Sequence, residues 1–463
     1  MYRRVKIVAT LGPASGSEEK IAELIEAGVN IFRLNFSYGT HEEHGESIEK
    51  IRRIASKMGR EVGILQDICG PKIRINGLRS ERIVERGDIL RLAEEPDAEA
   101  FSISFPGIVE KLKVGDELFF ADGTIQSRVV GRDDTGVTLE VLTRGRLLDG
   151  KGVTIAKADV ELGALTRKDI SDIEFGARAG VDFVAISFVG SADDMHKARE
   201  IHHSAGGDGW MVAKIERRVA LEHIDAIVDA SDAVMVARGD LGAEAGVYRV
   251  PVLQKRIIES CNSRAKPVIV ATQMLTSMVN SPYPTRAEVS DVANAVLDGA
   301  DAVMLSDETA AGRYPVEAVN TLVSSIYEIE KEYPYYRHLD TVPEEALPHA
   351  ASALSKYLPC DFIAVLTDSG YTMRELSKYR PSKPLFAIAT ERSIGRKSTL
   401  VWGYLGSVTP KKSDFSTESE MIEDLLLESG SDPDAFILLT GEMEGRGFGK
   451  SIRYIRREDR MGN

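Results

Sequence analysis

Cysteine is scarce: Cys69, Cys261 and Cys360 are the three in 463 residues. Their wide separation gives neither a disulfide framework nor a metal-ligand spacing, which fits a reducing cytosol and a cytoplasmic protein. A run of eighteen apolar residues is also missing, which argues against a membrane span. The opening MYRRVKIVATLG turns from basic to apolar, but its apolar part is too short for a signal peptide and reads as a strand. Positive charge is in deficit. A net charge of −14 disfavours general nucleic-acid binding, although an anionic ligand can still be held where cations are focused in one cleft. Neither a Walker A sequence nor a strand–GxGxxG–helix fingerprint is present, so a nucleotide has to be held by loops and by a second domain. What remains is 43% hydrophobic and 28% charged, the make-up of a soluble chain of about three domains.

Short Val/Ile/Ala-rich runs alternate with helical patterns. The runs are KIVATLG (6–12), NIFRLNFS (30–37), VGILQDI (62–68), VDFVAISFV (181–189), WMVAKIE (210–216), AVMVARGD (233–240), PVIVATQM (267–274) and AVMLSDET (302–309). Helix candidates between them include residues 17–28, 40–59 and 285–299. Strand followed by helix, repeated eight times, predicts an α/β protein with a (β/α)8 barrel, the TIM-barrel architecture. The gap after the third run is too long for one helix. GDILRLA, GDELFFADGTIQSRVVG and GVTLEVL within it alternate apolar and polar residues between Gly-Asp and Asp-Gly turns, which predicts a small inserted antiparallel β-barrel acting as a lid. After Tyr333 the pattern restarts as a C-terminal α/β domain, joined by the Pro-rich stretch 333–348. The expected boundaries are barrel 1–69, lid 70–152, barrel 153–335 and C-terminal domain 336–463.

The stretch VMVARGDLG (234–242) sets Arg238, Gly239 and Asp240 at the end of an apolar strand. A chance surface loop, an adhesion tripeptide and a ligand at a barrel mouth are the three readings; a cytosolic protein weakens the second. With a period of two, Arg33, Asn35 and Ser37 share one face of the second strand, Lys214 and Glu216 one face of the fifth, and Arg238 and Asp240 one face of the sixth. Thr272 ends the seventh strand; Ser306 and Glu308 end the eighth. Each such residue taken singly can be a helix cap or a solvated charge. Taken together, inward polar groups from five strands are costly without partners. Glu216 and Asp240 on consecutive strands would repel each other, and oxygen-only ligands favour Mg2+ or Mn2+ over zinc. Arg33, Lys214 and Arg74 add positive charge suited to a phosphate and a developing oxyanion.

ATLGPAS (9–15), FRLNFSYG (32–39), QDICGPKIR (66–74), KIE (214–216), VMVARGDLG, ATQMLTSM (271–278), PTRAEVSDVANAVLDGADAVMLSDETA (284–310) and ELSKYRP (375–381) resemble pyruvate kinase across most of the chain. The resemblance implies phosphoryl transfer from phosphoenolpyruvate to ADP, giving pyruvate and ATP. It implies that Arg33 and Lys214 bind the transferring group, Glu216 and Asp240 hold Mg2+, and backbone from Ala237 through Gly239 to Asp240 holds the carboxylate. Thr272 would lie near the methylene carbon, with a proton path to Ser306 and Glu308. Thr10, Pro13, Tyr38, Arg74 and Lys151 would line the nucleotide. Asn35, Ser37, Asp67 and the Ile68 carbonyl form the family's K+ site; Lys72 stands where many members have Glu, and its ammonium replaces that cation, so activity without K+ is expected. Tyr38 replaces a usual His, Asp307 a Gly and Ala311 a Lys, while Arg217 and Arg218 replace an Asn-containing turn. TDSGYT (367–372), with Thr367, Ser369, Gly370 and Thr372, is either a phosphate-holding loop for a phosphorylated effector or an ordinary capped helix start. Family members are commonly homotetramers.

Two other functions fit parts of this pattern. A metal-dependent lyase or aldolase acting on a pyruvate enolate uses the same carboxylate–metal logic but needs no lid, no Lys151 and no nucleotide. A pseudo-enzyme kept for effector binding would not need the complete set Arg33, Lys214, Glu216, Asp240 and Thr272.

Overall fold

The computed structural model describes residues 2–71, 73–97, 99–105, 107–120, 124–156, 165–337, 339, 345–409, 433–440 and 450–460. Lys72, the expected stand-in for K+, lies outside them. Eight parallel strands close into a barrel: Lys6–Thr10, Ile31–Asn35, Gly63–Asp67, Phe183–Ile186, Trp210–Ile215, Ala233–Ala237, Val268–Ala271 and Ala302–Leu305. Each pairs with its neighbours in sequence order, and the first closes on the last through Lys6 opposite Ala302. The helices between them start and stop where the sequence supplies caps. Ser17 caps Glu18–Ala27, which ends at Gly28 in the left-handed region (φ 115°). Thr40 with Glu43, and Thr285 with Glu288, form reciprocal capping boxes on His41–Lys57 and Arg286–Asp298.

Alternation along the barrel strands splits the lumen into two layers. Val8, Ile31, Leu65, Ala185, Val212, Met235, Ile269 and Met304 are buried and belong to one apolar cluster at its lower part. Two residues further along the same strands stand Thr10, Arg33, Asp67 and Lys214, and the side chains of the last three meet. The apolar cluster continues without a break into the C-terminal domain through Ile363, Val365, Met373, Leu376, Leu385, Leu400 and Val401. That domain is a five-stranded sheet in the order Tyr404–Val408, Leu385–Ala389, Ile363–Thr367, Ala435–Thr440, Ser451–Arg456, parallel except for the last strand.

The insertion is a seven-stranded sheet in the order Val153–Ala156, Glu117–Phe120, Ile125–Asp133, Gly136–Val141, Ile89–Leu92, Ala100–Ile103, Ile75–Asn76, beside a two-stranded ladder of Arg82–Val84 and Gly145–Leu147. Its own apolar core includes Leu90, Leu118, Phe120, Val129 and Leu139. It is not wholly antiparallel: Ile89–Leu92 and Ala100–Ile103 run parallel. Its return strand, Val153–Ala156, packs on the helix Arg238–Ala245, so the root of the lid sits beside Asp240.

Two expectations about strand ends are corrected. The sixth strand stops at Ala237, and Arg238–Ala245 is a helix. Arg238 and Asp240 therefore do not share a strand face: Arg238 is buried while Asp240 lies in the first helical turn. Similarly the seventh and eighth strands stop at Ala271 and Leu305. Thr272 follows in a left-handed conformation (φ 66°), and Glu308 lies on the short helix Asp307–Ala310. The linker assigned to 333–348 is shorter, because the helix Ala346–Tyr357 begins inside it.

Candidate active site

At the C-terminal mouth of the barrel the sequence brings four charged side chains into one buried network. Arg33 Nε donates to Asp67 Oδ2 at 2.6 Å and its Nη1 to Thr10 Oγ1 at 3.1 Å. Lys214 Nζ lies 3.0 Å from Asp67 Oδ1 and 2.9 Å from Glu216 Oε1. Burial works against the Lys214 ammonium, but Asp67 and Glu216 outweigh it and hold its pKa above the ordinary lysine value. Burial would raise Asp67; the Lys214 and Arg33 cations reverse this and hold its carboxyl below the usual range. The two residues thus remain charged in a place where a lone charge would be expelled.

Glu216 behaves differently. Burial pushes its carboxyl up, Lys214 pulls against that, and Asp240 adds to the rise. Two carboxylates in one field, one of them buried, are the donor set that a hard divalent cation with oxygen ligands relieves, so these residues fit Mg2+ or Mn2+. Among the described residues no group of three or more His, Cys, Asp or Glu forms a self-sufficient metal cage; such an ion would keep several positions for substrate oxygens and water.

Three backbone positions at this rim are strained. Phe188 (φ 56°), Thr272 (φ 66°) and Gln273 (φ 55°) sit in the left-handed region without being glycine. Such residues cost about 1–3 kcal/mol each and persist only where neighbours over-determine them. For Phe188 the neighbour is Glu216, whose Oε2 accepts the Phe188 N–H at 2.7 Å. For Thr272 it is Arg238, whose Nη2 donates to the Thr272 carbonyl at 2.6 Å while Nη1 pairs with Asp291 Oδ2 at 2.7 Å. Thr272 Oγ1 accepts the Gly239 N–H at 2.9 Å. Glu308 is buried and ties two loops, accepting from Leu275 N at 3.0 Å and Ser306 N at 2.8 Å. Among the described residues the buried Ser306 hydroxyl beside it has no protein partner, and a water chain would satisfy it.

Three of the four predicted monovalent-cation ligands already have protein donors. Asn35 Oδ1 accepts from Ser37 N at 3.1 Å, Asp67 is shared by Arg33 and Lys214, and the Ile68 carbonyl accepts from Ser187 Oγ at 2.7 Å. Of the predicted nucleotide residues, Thr10 joins the Arg33 network and Pro13 is exposed at the end of the first strand's loop. That loop is held down where Gly12 leaves room: a Cβ there would meet the Ala310 carbonyl oxygen at 2.5 Å. Tyr38 is exposed at the same rim, its carbonyl held by His44 Nε2 at 2.9 Å. Arg74 is not drawn into the charged network; it stands at the root of the lid, its Nη1 donating to the Gly150 carbonyl, next to exposed Lys151. In the C-terminal domain, Thr367 Oγ1 accepts the Gly370 N–H at 2.9 Å and Ser369 Oγ lies 3.4 Å from Tyr371 N. The loop's hydroxyls thus take the N–H groups of Gly370 and Tyr371 at the start of the helix Tyr371–Ser377, which has no side-chain N-cap bond and on which Thr372 lies.

Two rim residues went unnoticed in the sequence. Lys168 Nζ reaches the Phe36 carbonyl at 2.7 Å and Asp172 at 2.6 Å; on a helix face it carries no signal that separates it from other surface lysines. Ser187 is buried against Lys214, 2.7 Å from its Nζ. The two-residue parity that placed Lys214 and Glu216 inward places Ser187 inward after Ala185 as well.

A closed parallel barrel, with cations and two acidic oxygen ligands at its C-terminal mouth under an inserted lid, defines an enzyme of anion chemistry at a metal-assisted centre, a phosphotransferase class of site. The pyruvate kinase barrel domain matches residues 2–319 and the pyruvate kinase alpha/beta domain residues 345–451. The chain belongs to the pyruvate kinase family. It is 41% identical to a pyruvate kinase of Sporosarcina psychrophila over 92% of this chain and 75% of that protein. It is 40% identical to one of Agrobacterium vitis over 95% of each, and 42% identical to pyruvate kinase 2 of Synechocystis over 87% of this chain and 70% of that protein.

Proposed function

We propose that this rim transfers the phosphoryl group of phosphoenolpyruvate to ADP, giving pyruvate and ATP in the last step of glycolysis. The observation that carries the reading is the buried Arg33–Asp67–Lys214–Glu216 network: fixed cations beside a divalent-metal carboxylate. Phosphoryl transfer asks for positioning and charge neutralisation more than for covalent chemistry by the protein. Arg33 and Lys214 face the transferring group. Glu216 and Asp240 would hold Mg2+ or Mn2+, which when bound neutralises charge on the substrate's oxygens. The backbone from Ala237 to Asp240, at a helix N-terminus, receives the carboxylate, with the Gly239 N–H shared between it and Thr272 Oγ1. Thr272, fixed by Gly239 and Arg238, stands at the enolate carbon, and Ser306 with Glu308 anchors the water chain that delivers its proton. Thr10, Pro13, Tyr38, Arg74 and Lys151 form the nucleotide side, closed by the inserted lid, whose sheet runs past the expected boundary at 152 to Ala156.

The same reading holds that K+ is dispensable. Asp67 faces two protein cations, and Asn35 Oδ1 and the Ile68 carbonyl each have a protein donor; Lys72 would add a further ammonium. A cytoplasmic homotetramer completes the proposal; exposed Val247, Tyr248 and Val252 offer apolar surface on one stretch of the barrel's outside. A phosphorylated effector at Thr367–Thr372 would have to compete with Thr367 and Ser369 for the Gly370 and Tyr371 N–H groups. No helix among the described residues is long and apolar enough to cross a membrane. The test is an assay of pyruvate formation in which ADP, Mg2+ and K+ are varied independently. Release of pyruvate that does not depend on ADP would favour the lyase reading instead.

A further inference from the structure

Lys214 has three N–H donors and three acceptors within 3.0 Å: Asp67 Oδ1, Glu216 Oε1 and Ser187 Oγ, the last closest at 2.7 Å. Two of the three are carboxylates with other obligations. Asp67 is shared with Arg33, and Glu216 is the residue proposed above to hold a metal. Ser187 is neutral, 1% exposed, and oriented by its own proton, which goes to the Ile68 carbonyl at 2.7 Å. A hydroxyl that donates in one direction can only accept from the other, so its lone pair is aimed at Lys214. The next residue, Phe188, is the strained position whose N–H holds Glu216. Ser187 and Phe188 therefore fix both active carboxylate and ammonium from one two-residue turn. Close packing keeps that turn in place: a Cβ on Gly70 would meet Ser187 Cβ at 2.8 Å and Phe188 Cδ2 at 2.9 Å.

We propose that Ser187 is a positioning residue for phosphoryl transfer, the tether that keeps the Lys214 ammonium on station while its carboxylate neighbours also serve Arg33 and the metal. This rests on the role given to Lys214 above. Without the hydroxyl the ammonium keeps its charge but loses its fixed geometry. Substrate binding, which needs the charge, should then survive better than turnover, which needs the geometry.

The experiment is a double-mutant cycle of Ser187→Ala and Lys214→Met, with steady-state kinetics and thermal unfolding of each variant. Ser187→Ala should lower kcat by about 10- to 100-fold, the scale of a misplacement near 1 Å, with the KM for phosphoenolpyruvate within about threefold. In the Lys214→Met background the same substitution should change the residual kcat by less than about twofold, because the coupled partner is gone. Ser187→Thr, which keeps the hydroxyl, should recover most of the loss. Equal losses in both backgrounds would make Ser187 merely structural and overturn the proposal, as would an unchanged kcat in Ser187→Ala. Wild-type turnover in Lys214→Met would instead sink the role of Lys214 itself, and the tether with it. Should the alanine variant fail to fold, Ser187→Cys, similar in shape and only a weak acceptor, carries the same cycle.

Discussion

Arg238 reaches no reacting atom, yet its replacement by methionine should disable one half of the chemistry. Its side chain is 8% exposed, and its guanidinium holds the Thr272 carbonyl from Nη2 at 2.6 Å and Nε at 3.2 Å, with Asp291 as counter-charge. Methionine fills much of the volume but supplies no donor. A hydrogen bond from a charged group contributes about 1.5–3 kcal/mol, and a buried carbonyl left without one costs a similar amount. Asp291 is 36% exposed, so water takes over much of its role. The lost contacts are worth about 3 kcal/mol; relaxation of the backbone gives part of this back, so the melting temperature should fall by at most about 6–12 °C. The same change frees Thr272 and Gln273 to leave the left-handed region, relieving about 1–3 kcal/mol of strain at each. Relaxation there swings Thr272 Oγ1 away from Gly239. Exchange of the pyruvate methyl hydrogens with solvent deuterium reports the enolate step alone, and it should fall by about 10- to 100-fold. Phosphoenolpyruvate binding, carried by Arg33, Lys214 and the metal, should shift far less. A variant that melts lower but exchanges deuterium at the wild-type rate would refute the link between Arg238 and the geometry of Thr272.

Glu216→Gln should weaken Mg2+ binding and cut turnover by about a hundredfold or more, the scale of losing one preorganised charge at a transition state; titration of Mg2+ against activity checks both. Replacing KCl by a tetraalkylammonium salt at constant ionic strength should leave activity within about twofold, since Asp67 already faces two protein cations; a severalfold rise with K+ would contradict this. Burial pushes the Lys6 ammonium down to about 7, while Arg3 and Arg4 add to the effect and Glu330 opposes it. An unfolded lysine titrates near 10.4, so between those values the unfolded chain binds more protons and stability rises with pH, by up to about 1.4 kcal/mol per unit. Lys6→Met should flatten that slope in denaturant titrations at pH 7 to 10; an unchanged slope would show that Lys6 does not titrate there.

The barrel was legible because its strands are short runs of Val, Ile and Ala that a period of two divides cleanly into outer core and lumen, with capped amphipathic helices between them. Arg33, Lys214 and Glu216 could be placed by the same parity. Parity fails where the strand ends: Arg238 looked like a strand-face partner of Asp240, but Gly239 follows it into a helical turn, and the two side chains part. The conformation of Thr272 was equally invisible, because a β-branched residue at positive φ is held there by Arg238, a contact 34 residues away in sequence. Tyr404–Val408 escaped notice as a strand, since YLGSV mixes Gly and Ser into a run too weak to stand out. The parallel pair in the lid, Ile89–Leu92 with Ala100–Ile103, likewise contradicts what alternation and tight turns suggest.

The lumen and the C-terminal sheet share one unbroken oily interior, from Val8 and Met304 to Val365 and Leu385. That continuity corks the barrel at its far end. Among the described residues, that leaves the mouth the lid overhangs as the way in for substrate. It also makes the two domains poor candidates for separation: cutting the chain near residue 345 would strip the floor from the catalytic chamber and leave a greasy plug without its socket, so both halves should melt as one unit.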